Sequence, residues 1–213
     1  MAIIFGCKVM PDNIDCIIIS NPDILFKESD ITKLLEGFEN EKNAIVSPVI
    51  EENGTLNRGW KFQTALTDAM SNINFIGRIF KKKILYDSSH YNIDFSKVDV
   101  VSGCFFLIRK DIFEQIGYFD ENIFLYYEEN IIAKKISNLN MNIVVNNKVR
   151  VIHNHSVSIN KTYNKINKFK ILAKSQRYYH KNYNDAGIIK MAILYVSYII
   201  TLCISNILNL FNK

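Results

Sequence analysis

Short runs of aliphatic residues recur along the chain, and turn-forming residues follow them. Residues 15–20 form such a run, which Asn21-Pro22-Asp23 ends, because proline has no backbone N–H and biases the residue before it toward extended geometry. Residues 44–50 form another run, and Asn53-Gly54 after it is a tight-turn signal. We expect a buried strand in each run and a change of direction after each.

One segment has helical spacing instead. Ile132, Ile136 and Leu139 recur at i, i+4 and i+7, which puts them on one face of a helix. Glu128 and Glu129 fall at or near the start of this helix, where the helix dipole favours negative charge. The pattern predicts an amphipathic helix with an acidic first turn.

The remaining periodicity completes an alternation of strands and helices. Ser29 is a candidate cap for a helix that runs to about residue 40. We expect a strand over residues 98–108, interrupted by Gly103, and short strands near residues 141–146 and 149–153. Strands that alternate with helices predict a layered α/β domain.

The end of the chain has a different character. A basic stretch with interleaved aromatic residues comes first, and residues 191–211 then carry no charge, which is long enough to cross a bilayer. Ser197, Thr201, Ser205 and Asn209 recur every four residues and give this segment one weakly polar seam. We favour an interfacial helix on the membrane, with a single spanning helix and an ordinary buried helix pair as alternatives.

Composition fits a folded domain and selects no partner. The chain has 213 residues, of which 48% are hydrophobic and 22% charged, so it can bury a core. Its net charge of +5 permits an anionic partner such as a nucleotide diphosphate, a membrane surface or nucleic acid. The four cysteines are widely spaced, which argues against a zinc site.

Possible metal ligands follow two of the predicted strands. Asp23 comes at the carboxyl end of a buried strand, where open α/β sheets place ligands, although an Asx-turn after Pro22 would explain it equally well. His153 and His155 share one face of an alternating strand with Val149 and Val151. Both histidines therefore point inward or both point outward, and a pair beside a carboxylate is a better ligand candidate than a lone core histidine.

The acidic pair also has two interpretations. Glu128 and Glu129 follow a run of aromatic residues that includes Tyr126 and Tyr127. They are either ordinary first-turn acids of the helix or a general base held at the mouth of a cleft by aromatic packing.

Four segments in order resemble a known family. They are an apolar strand running into Asn-Pro-Asp at residues 17–26, a Ser-Gly strand at 101–109, Gly-x-Phe-Asp-Glu with an aromatic run and an acidic pair at 117–130, and a strand ending in His at 149–156. Together they resemble the inverting glycosyltransferases of family 2, which have the GT-A fold, and particularly the rhamnosyl- and galactofuranosyl-type transferases of bacterial surface polysaccharides. The resemblance spans roughly residues 15–183.

The resemblance implies an α/β fold with a GT-A-like, Rossmann-like mixed sheet. It also implies inverting transfer of a sugar from a nucleotide-sugar donor, dependent on a divalent cation (Mg2+ or Mn2+). Asp23 and His153 match the metal positions, and Glu129, paired with Glu128, matches the catalytic base. The sequence departs from the pattern twice: Glu129 stands where the family usually has Asp, and Ile131 where many relatives carry an acid. Substrate contacts are expected from Asn21, Gly103, Asp120, Glu121, Trp60 and His155.

The front of the chain is the largest departure from the family. The family fold begins with strands and a helix that bind the nucleotide. Here Asn-Pro-Asp already begins at residue 21, which leaves no room for those elements before it. We therefore expect residues 1–160 to form an N-terminally incomplete GT-A-like catalytic and acceptor part, inactive or weakly donor-binding when isolated. Residues 161–213 are expected to form a basic and apolar helical tail that associates with the membrane.

The expected partners follow from this tail. A glycan or lipid-linked acceptor at the cytoplasmic face of the cell membrane suits a membrane-associating helix. One alternative is a non-catalytic relic or a partner subunit of a split transferase. Another is an RNA-binding module that uses the basic aromatic stretch. We expect no nucleic-acid partner, because that stretch leads directly into an apolar segment.

Overall fold

A computed structural model of the chain describes residues 14–73, 77, 82–154 and 164–211. The described residues group into two compact units. Residues 14–61, 86–122 and 128–154 belong to the first unit, and residues 62–73, 77, 82–85, 123–127 and 164–211 to the second. Segments from the middle of the chain therefore join the tail helices in the second unit. The division into residues 1–160 and 161–213 stays a prediction.

The first unit contains a seven-stranded mixed sheet. Its strands are β1 (Cys16–Ser20), β2 (Ile24–Leu25), β3 (Asn43–Glu52), β4 (Thr55–Asn57), β5 (Phe95–Val98), β6 (Phe105–Arg109) and β7 (Asn142–His153). The main order is β1-β6-β3-β7-β2, with β4 paired to β3 and β5 paired to β7. Only β3 and β7 run parallel; the other pairs are antiparallel. The predicted mixed α/β class is confirmed.

The direction of the strands brings several termini to one edge of the sheet. Ser20 at the end of β1 pairs with Phe105 at the start of β6, because these strands are antiparallel. Glu51 near the end of β3 pairs with Ile152 near the end of β7, because those two are parallel. The carboxyl ends of β1, β3 and β7 and the start of β6 therefore share one edge.

Helices accompany the sheet in the first unit, namely α1 (Glu28–Leu35), α3 (Lys110–Gln115) and α4 (Glu128–Asn138), with short 3₁₀ turns at Glu36–Glu39 and Ser88–Tyr91. Helix α1 is capped at Lys27, whose backbone N–H donates to Asp30 Oδ2 at 2.8 Å, so Ser29 lies inside the helix and is not its cap. The predicted apolar face of α4 is buried at Ile132 and Ile136.

Two strand predictions needed correction. Residues 98–108 are not one interrupted strand: β5 and β6 are separate, and β5 pairs with β7 while β6 pairs with β1 and β3. The short strands expected at residues 141–146 and 149–153 form the single strand β7, whose pairing with β3 shifts register between Pro48 and Val49. A local irregularity thus separates the two halves of β7 without ending it.

The second unit is helical. It contains α2 (Ala65–Asn72), α5 (Lys165–Asn182) and α6 (Ile188–Phe211). Thr64 caps α2, with its hydroxyl accepting from Thr67 N at 3.2 Å, and Asn164 caps α5, with its side chain accepting from Asn167 N at 2.8 Å. Ala65 and Ala69 of α2 pack with Leu194 of α6 in a small apolar cluster.

Candidate active site

Asp23, Glu52 and His153 meet at the shared edge of the sheet. Asp23 follows β1, Glu52 ends β3 and His153 ends β7. Asp23 Oδ1 lies 3.3 Å from His153 Nε2, and Glu52 Oε2 lies 3.7 Å from His153 Nδ1. His153 continues the buried face of Val149 and Val151, so of the two orientations that the sequence left open, this face of β7 points inward.

Backbone hydrogen bonds position this group. Asn154 N donates to Asp23 O at 2.9 Å, and Ile24 pairs with His153 across β2 and β7. The short strand that follows Asn-Pro-Asp therefore fastens the Asp23 loop to the end of β7. His155 lies outside the described residues.

Asp23 and His153 are chemically suited to one divalent cation. Two ligands at right angles on an octahedral ion, each at about 2.1 Å, lie about 3 Å apart. The 3.3 Å between Asp23 Oδ1 and His153 Nε2 is close to that separation. Within the described ranges, no group of three or more His, Cys, Asp and Glu side chains is arranged to hold a metal ion. Any cation at this pair would take its remaining ligands from water or substrate.

The start of β6 runs beside the same group. Asn21 N donates to Cys104 O at 2.8 Å, which ties the Asn-Pro-Asp loop to this strand. Burial raises the pKa of the Cys104 thiol, and the Glu52 and Asp23 carboxylates add to the shift. Cys104 is therefore a neutral filler beside these acids and is not a thiolate nucleophile.

Gly103 connects this group to the acidic pair. A Cβ atom at Gly103 would stand 3.6 Å from Glu129 Oε2 and 3.7 Å from Glu129 Cβ. Both distances are ordinary van der Waals contacts with a side chain, so Gly103 is not a site where another backbone approaches closely. Because Cys104 follows Gly103, this turn neighbours both the Glu129 side chain and the Asn-Pro-Asp loop.

Both glutamates of the pair are perturbed. Burial raises the pKa of Glu129 to about 8, and the Glu128 carboxylate adds to the shift. Burial also raises the pKa of Glu128, whose Oε2 is buried and has no hydrogen-bond partner in the described part of the chain. Ordinary first-turn acids stay solvated, so this environment favours a functional role.

Strained backbone leads into the pair. Tyr126 and Tyr127 both have positive φ, at 67° and 71°, a conformation that residues other than glycine seldom adopt. Two successive residues in this region need support from surrounding contacts, and such strain concentrates at functional sites.

Three further predicted residues have defined environments. Trp60 exchanges two backbone hydrogen bonds with Val100, each 2.9 Å long. Asp120 Oδ1 accepts from the backbone and side-chain nitrogens of Asn122, both at 2.9 Å, so it shapes its own loop. Glu121 is exposed. The structure gives no distance between any of these and the Asp23 or Glu129 groups.

Sequence reasoning missed Glu52 and Cys104. The Asn53-Gly54 turn directly after Glu52 was the available signal, because it places Glu52 at the end of β3. Cys104 carried no such signal. Its role depends on strand pairing, which the order of residues does not reveal.

Two comparisons relate the chain to glycosyltransferases, although no family model matches it. It is 30% identical over 146 residues to the low-salt glycan biosynthesis hexosyltransferase Agl10 of Haloferax volcanii, an alignment that covers 68% of this chain and 44% of that protein. The chain thus spans less than half the length of this relative. The crystal structure of GalNAc-T7 with UDP, GalNAc and Mn2+ is similar with a TM-score of 0.56 at 13% identity, over 85% of this chain and 34% of that chain. The likeness confirms the GT-A-like fold.

Proposed function

We propose that this chain is part of a metal-dependent, inverting glycosyltransferase that moves a hexose from a nucleotide-sugar donor to a glycan or lipid-linked acceptor. The observation that carries the proposal is that the turn before β6 neighbours both candidate groups: Gly103 lies beside the Glu129 side chain, and Cys104 O accepts from Asn21 N of the Asn-Pro-Asp loop. A candidate base and the loop that carries a candidate cation ligand therefore adjoin the same two residues. Membership of family 2 remains part of the proposal.

Glu129 acts as the general base. Its carboxylate takes the proton of the acceptor hydroxyl while that oxygen bonds to the anomeric carbon of the donor sugar. The bond from this carbon to the phosphate oxygen breaks in the same displacement, and the nucleoside diphosphate leaves with the electron pair. A single displacement of this kind inverts the anomeric centre. Glu128 assists by raising the proton affinity of Glu129.

Asp23 and His153 would hold the divalent cation, Mg2+ or Mn2+. Such a cation neutralises the negative charge that gathers on the diphosphate leaving group. Carboxylate oxygen suits either ion, and Mg2+ is commonly bound by one or two carboxylates plus water and substrate phosphates. The imidazole nitrogen of His153 suits Mn2+, the softer of the two ions, better than Mg2+. Glu52 lies 3.7 Å from the other ring nitrogen of His153, longer than a hydrogen bond, and is the nearby carboxylate that could move in to orient the imidazole when a cation binds.

The remaining candidate residues would contact substrates. Asn21 and Gly103 border the Asp23 and Glu129 groups, so they are assigned to the reacting parts of donor and acceptor. Asp120, Glu121, Trp60 and His155 are assigned to more distant parts of the acceptor or donor on the resemblance alone.

Glycan analysis of the source organism tests this function. Deleting the gene should remove a sugar from a cell-surface or lipid-linked glycan, and Glu129→Gln at the chromosomal locus should reproduce that loss. Glu41→Gln, which alters an exposed acid with no proposed role, serves as the matched control. An unchanged glycan profile after deletion would contradict the proposal. If deletion changed the glycan but Glu129→Gln did not, the chain would be a non-catalytic partner subunit.

We further propose that α6 attaches the protein to the cytoplasmic face of the cell membrane. Residues Ile188–Ile207 are long and apolar enough to cross a bilayer, and only 17% of the most apolar 18 residues there is buried. Ile189, Val196 and Ile200 are 77%, 54% and 41% exposed. An apolar surface of this extent on a soluble protein is unusual and is typical of a membrane or partner interface.

The polar seam of α6 is partly buried against α2, and this packing supports a helix that lies on the membrane. Ser197 and Thr201 are buried, so they face protein and not water. The Thr201 hydroxyl donates to Asn72 O at 3.0 Å, and Ser197 Oγ lies 3.5 Å from Asn72 Nδ2. These bonds fasten α6 to the end of α2. A helix fastened in this way is better suited to lying at the interface than to crossing the bilayer alone.

The charge of α5 suits the proposed membrane surface, and the packing of its aromatic residues argues against RNA. Helix α5 carries Lys165, Lys168, Lys170, Lys174, Arg177 and Lys181 with no acid, which suits anionic lipid headgroups. The guanidinium of Arg177 stacks over the rings of Tyr195 and Tyr198, at 5.7 Å and 4.7 Å from their centroids. In the basic aromatic stretch itself, Tyr179 is fully buried and Phe169 stacks on Tyr198 with ring centroids 5.9 Å apart. Two of the rings that an RNA-binding module would need are therefore used for packing inside the unit.

A further inference from the structure

A buried hydrogen-bonded group in the second unit surrounds the residue that precedes the acidic pair. Asp68 of α2 is 1% exposed, His180 of α5 is fully buried and Tyr127 is 5% exposed. Asp68 Oδ2 accepts from the Tyr127 hydroxyl at 2.5 Å and lies 2.6 Å from His180 Nε2. Three segments that are distant in sequence therefore meet on one carboxylate oxygen.

The hydrogen bonds assign a role to each atom. The His180 ring nitrogen Nε2 faces a carboxylate, so it donates. The other nitrogen, Nδ1, lies 3.1 Å from Asn184 Nδ2 and accepts from it. Asn184 Nδ2 also donates to Gln63 O at 3.0 Å, which uses its second proton. Asp68, His180 and Asn184 then each have a partner of the right kind, as a stable buried polar network requires. Gln63 Oε1 also lies 2.9 Å from the Tyr127 hydroxyl, whose single proton goes to the carboxylate of Asp68.

Helix α5 contacts the segment 125–127 at two more points. The Ser175 hydroxyl donates to Leu125 O at 2.8 Å. The ring of Tyr179 packs against the ring of Tyr127, with centroids 5.4 Å apart. These contacts supply the support that two successive residues with positive φ, Tyr126 and Tyr127, require.

We propose that Asp68 and His180 are positioning residues for the catalytic base, which they influence by fixing Tyr127 in its left-handed backbone conformation. Tyr127 is bonded directly to Glu128, so its backbone angles set the direction in which α4 and the acidic pair begin. This inference rests on the proposed role of Glu129. Neither Asp68 nor His180 touches substrate or reacting atoms.

The chemistry of the group explains why these residue types serve the purpose. A carboxylate with two donors on one oxygen holds a tyrosine hydroxyl more firmly than a neutral acceptor would, because charge-assisted hydrogen bonds are shorter and stronger. His180 in turn fixes the orientation of Asp68. Replacing Asp68 with Asn removes the negative charge of this side chain. It also introduces an amide N–H donor that competes with the Tyr127 hydroxyl as a donor within the group.

Hydrogen exchange and kinetics test the inference on the full chain. Tyr127→Phe and Asp68→Asn should raise amide exchange in the segment 125–128 by tenfold or more. In transfer assays they should lower kcat on the order of tenfold while the donor KM changes little. His180→Gln keeps a donor toward Asp68 and should restore most of the protection and rate that His180→Ala loses.

Thr201→Val is the matched control. It removes a buried hydrogen bond in the same unit, to Asn72 O, without touching Tyr127. It should lower the melting temperature but leave both the exchange at 125–128 and kcat unchanged. Equal effects of Thr201→Val and Tyr127→Phe on these two measurements would refute the positioning role. The exchange measurement needs no activity, so it stays informative even if Glu129→Gln showed that the proposed catalytic function is wrong.

Discussion

The side chain of Glu129 lies against Gly103, so that a Cβ atom at position 103 would stand 3.6 Å from Glu129 Oε2. This distance is an ordinary van der Waals contact, and a methyl group fits there. An alanine at position 103 would therefore fit, and its methyl group would lie against the Glu129 carboxylate.

Gly103→Ala should fold with little loss of stability but should further desolvate Glu129. We expect the pH at which transfer reaches half its maximum to move upward, because desolvation disfavours the charged carboxylate. Gly59→Ala is the contrasting variant: Gly59 has φ of +82°, and its Cβ would stand 2.6 Å from Val100 O. That change should cost roughly 1–3 kcal/mol in chemical denaturation. Equal destabilisation by both variants would contradict the ordinary contact at Gly103.

Glu129→Gln should remove most turnover, on the order of 10²–10⁴-fold, with donor affinity little changed. Glu128→Gln should cost less, because Glu128 acts through Glu129. The rate of wild-type transfer should rise with pH toward about 8, where Glu129 loses its proton. Steady-state kinetics over pH 6–10, roughly two units on either side of that value, measure all three effects. If Glu128→Gln were the more damaging change, the roles within the pair would be reversed.

The raised pKa of Glu129 also predicts how stability depends on pH. The folded protein binds this proton more tightly than the unfolded chain, because the folded-state pKa is about 8 against the ordinary 4.5. The free energy of unfolding should therefore fall as pH rises from 4.5 through 8. Glu129→Gln should remove part of this fall, so its advantage in melting temperature over wild type should be larger at alkaline pH than at acid pH. If the melting temperatures of wild type, Glu129→Gln and the exposed control Glu121→Gln changed with pH in the same way, this prediction would be contradicted.

Asp23→Ala or His153→Ala should weaken Mn2+ binding by at least about tenfold, since each removes one of two protein ligands. Electron paramagnetic resonance of Mn2+ in the presence of a nucleoside diphosphate measures the free ion. His90→Ala is a suitable control, because the His90 ring lies 2.7 Å from Lys97 O and stacks on Tyr86. Unchanged Mn2+ affinity in both ligand variants would leave Asp23 and His153 as a structural hydrogen-bonding pair only.

Exposed apolar residues of α6 should carry the membrane attachment. The triple change Ile189→Ser, Val196→Ser and Ile200→Ser should move the protein to the soluble fraction, because each residue contributes roughly 1.5–3 kcal/mol when buried in lipid. Deleting residues 187–213 should do the same, but it also uncovers Ala65 and Ala69. A tag after Lys213 should remain accessible from the cytoplasm. Ser197→Ala, which alters the buried seam, should still pellet with membranes.

Retention of the triple variant in membranes at high salt would place the attachment elsewhere. Protection of the tag would instead favour a spanning helix. The two outcomes are separable, because one reports on affinity and the other on topology.

Local signals in the sequence determined much of the fold. Pro22 ends β1 because it cannot donate to a ladder, and the Asn53-Gly54 turn follows β3, with both residues at positive φ. Apolar spacing located α4, and alternation placed His153 on one face with Val149 and Val151 without deciding whether that face is inward. Position after a strand or at a helix start made Asp23 and the acidic pair candidates, and the family resemblance then singled out Asp23, Glu129 and His153. The prediction of one strand over residues 98–108 was wrong, because an apolar run does not reveal where the chain changes from pairing with one strand to pairing with another.

Only the tertiary structure decided which side chains meet. Glu129 lies beside Gly103, and Glu52 lies beside His153. Asp68 contacts His180, which is 112 residues away in the sequence. Such contacts depend on strand order, direction and register, which follow from how the whole core packs and not from local propensity. The seam on α6 makes the same point. The sequence placed Ser197 and Thr201 on one side of the helix, but only packing against α2 turned that side toward protein and left the apolar face outward.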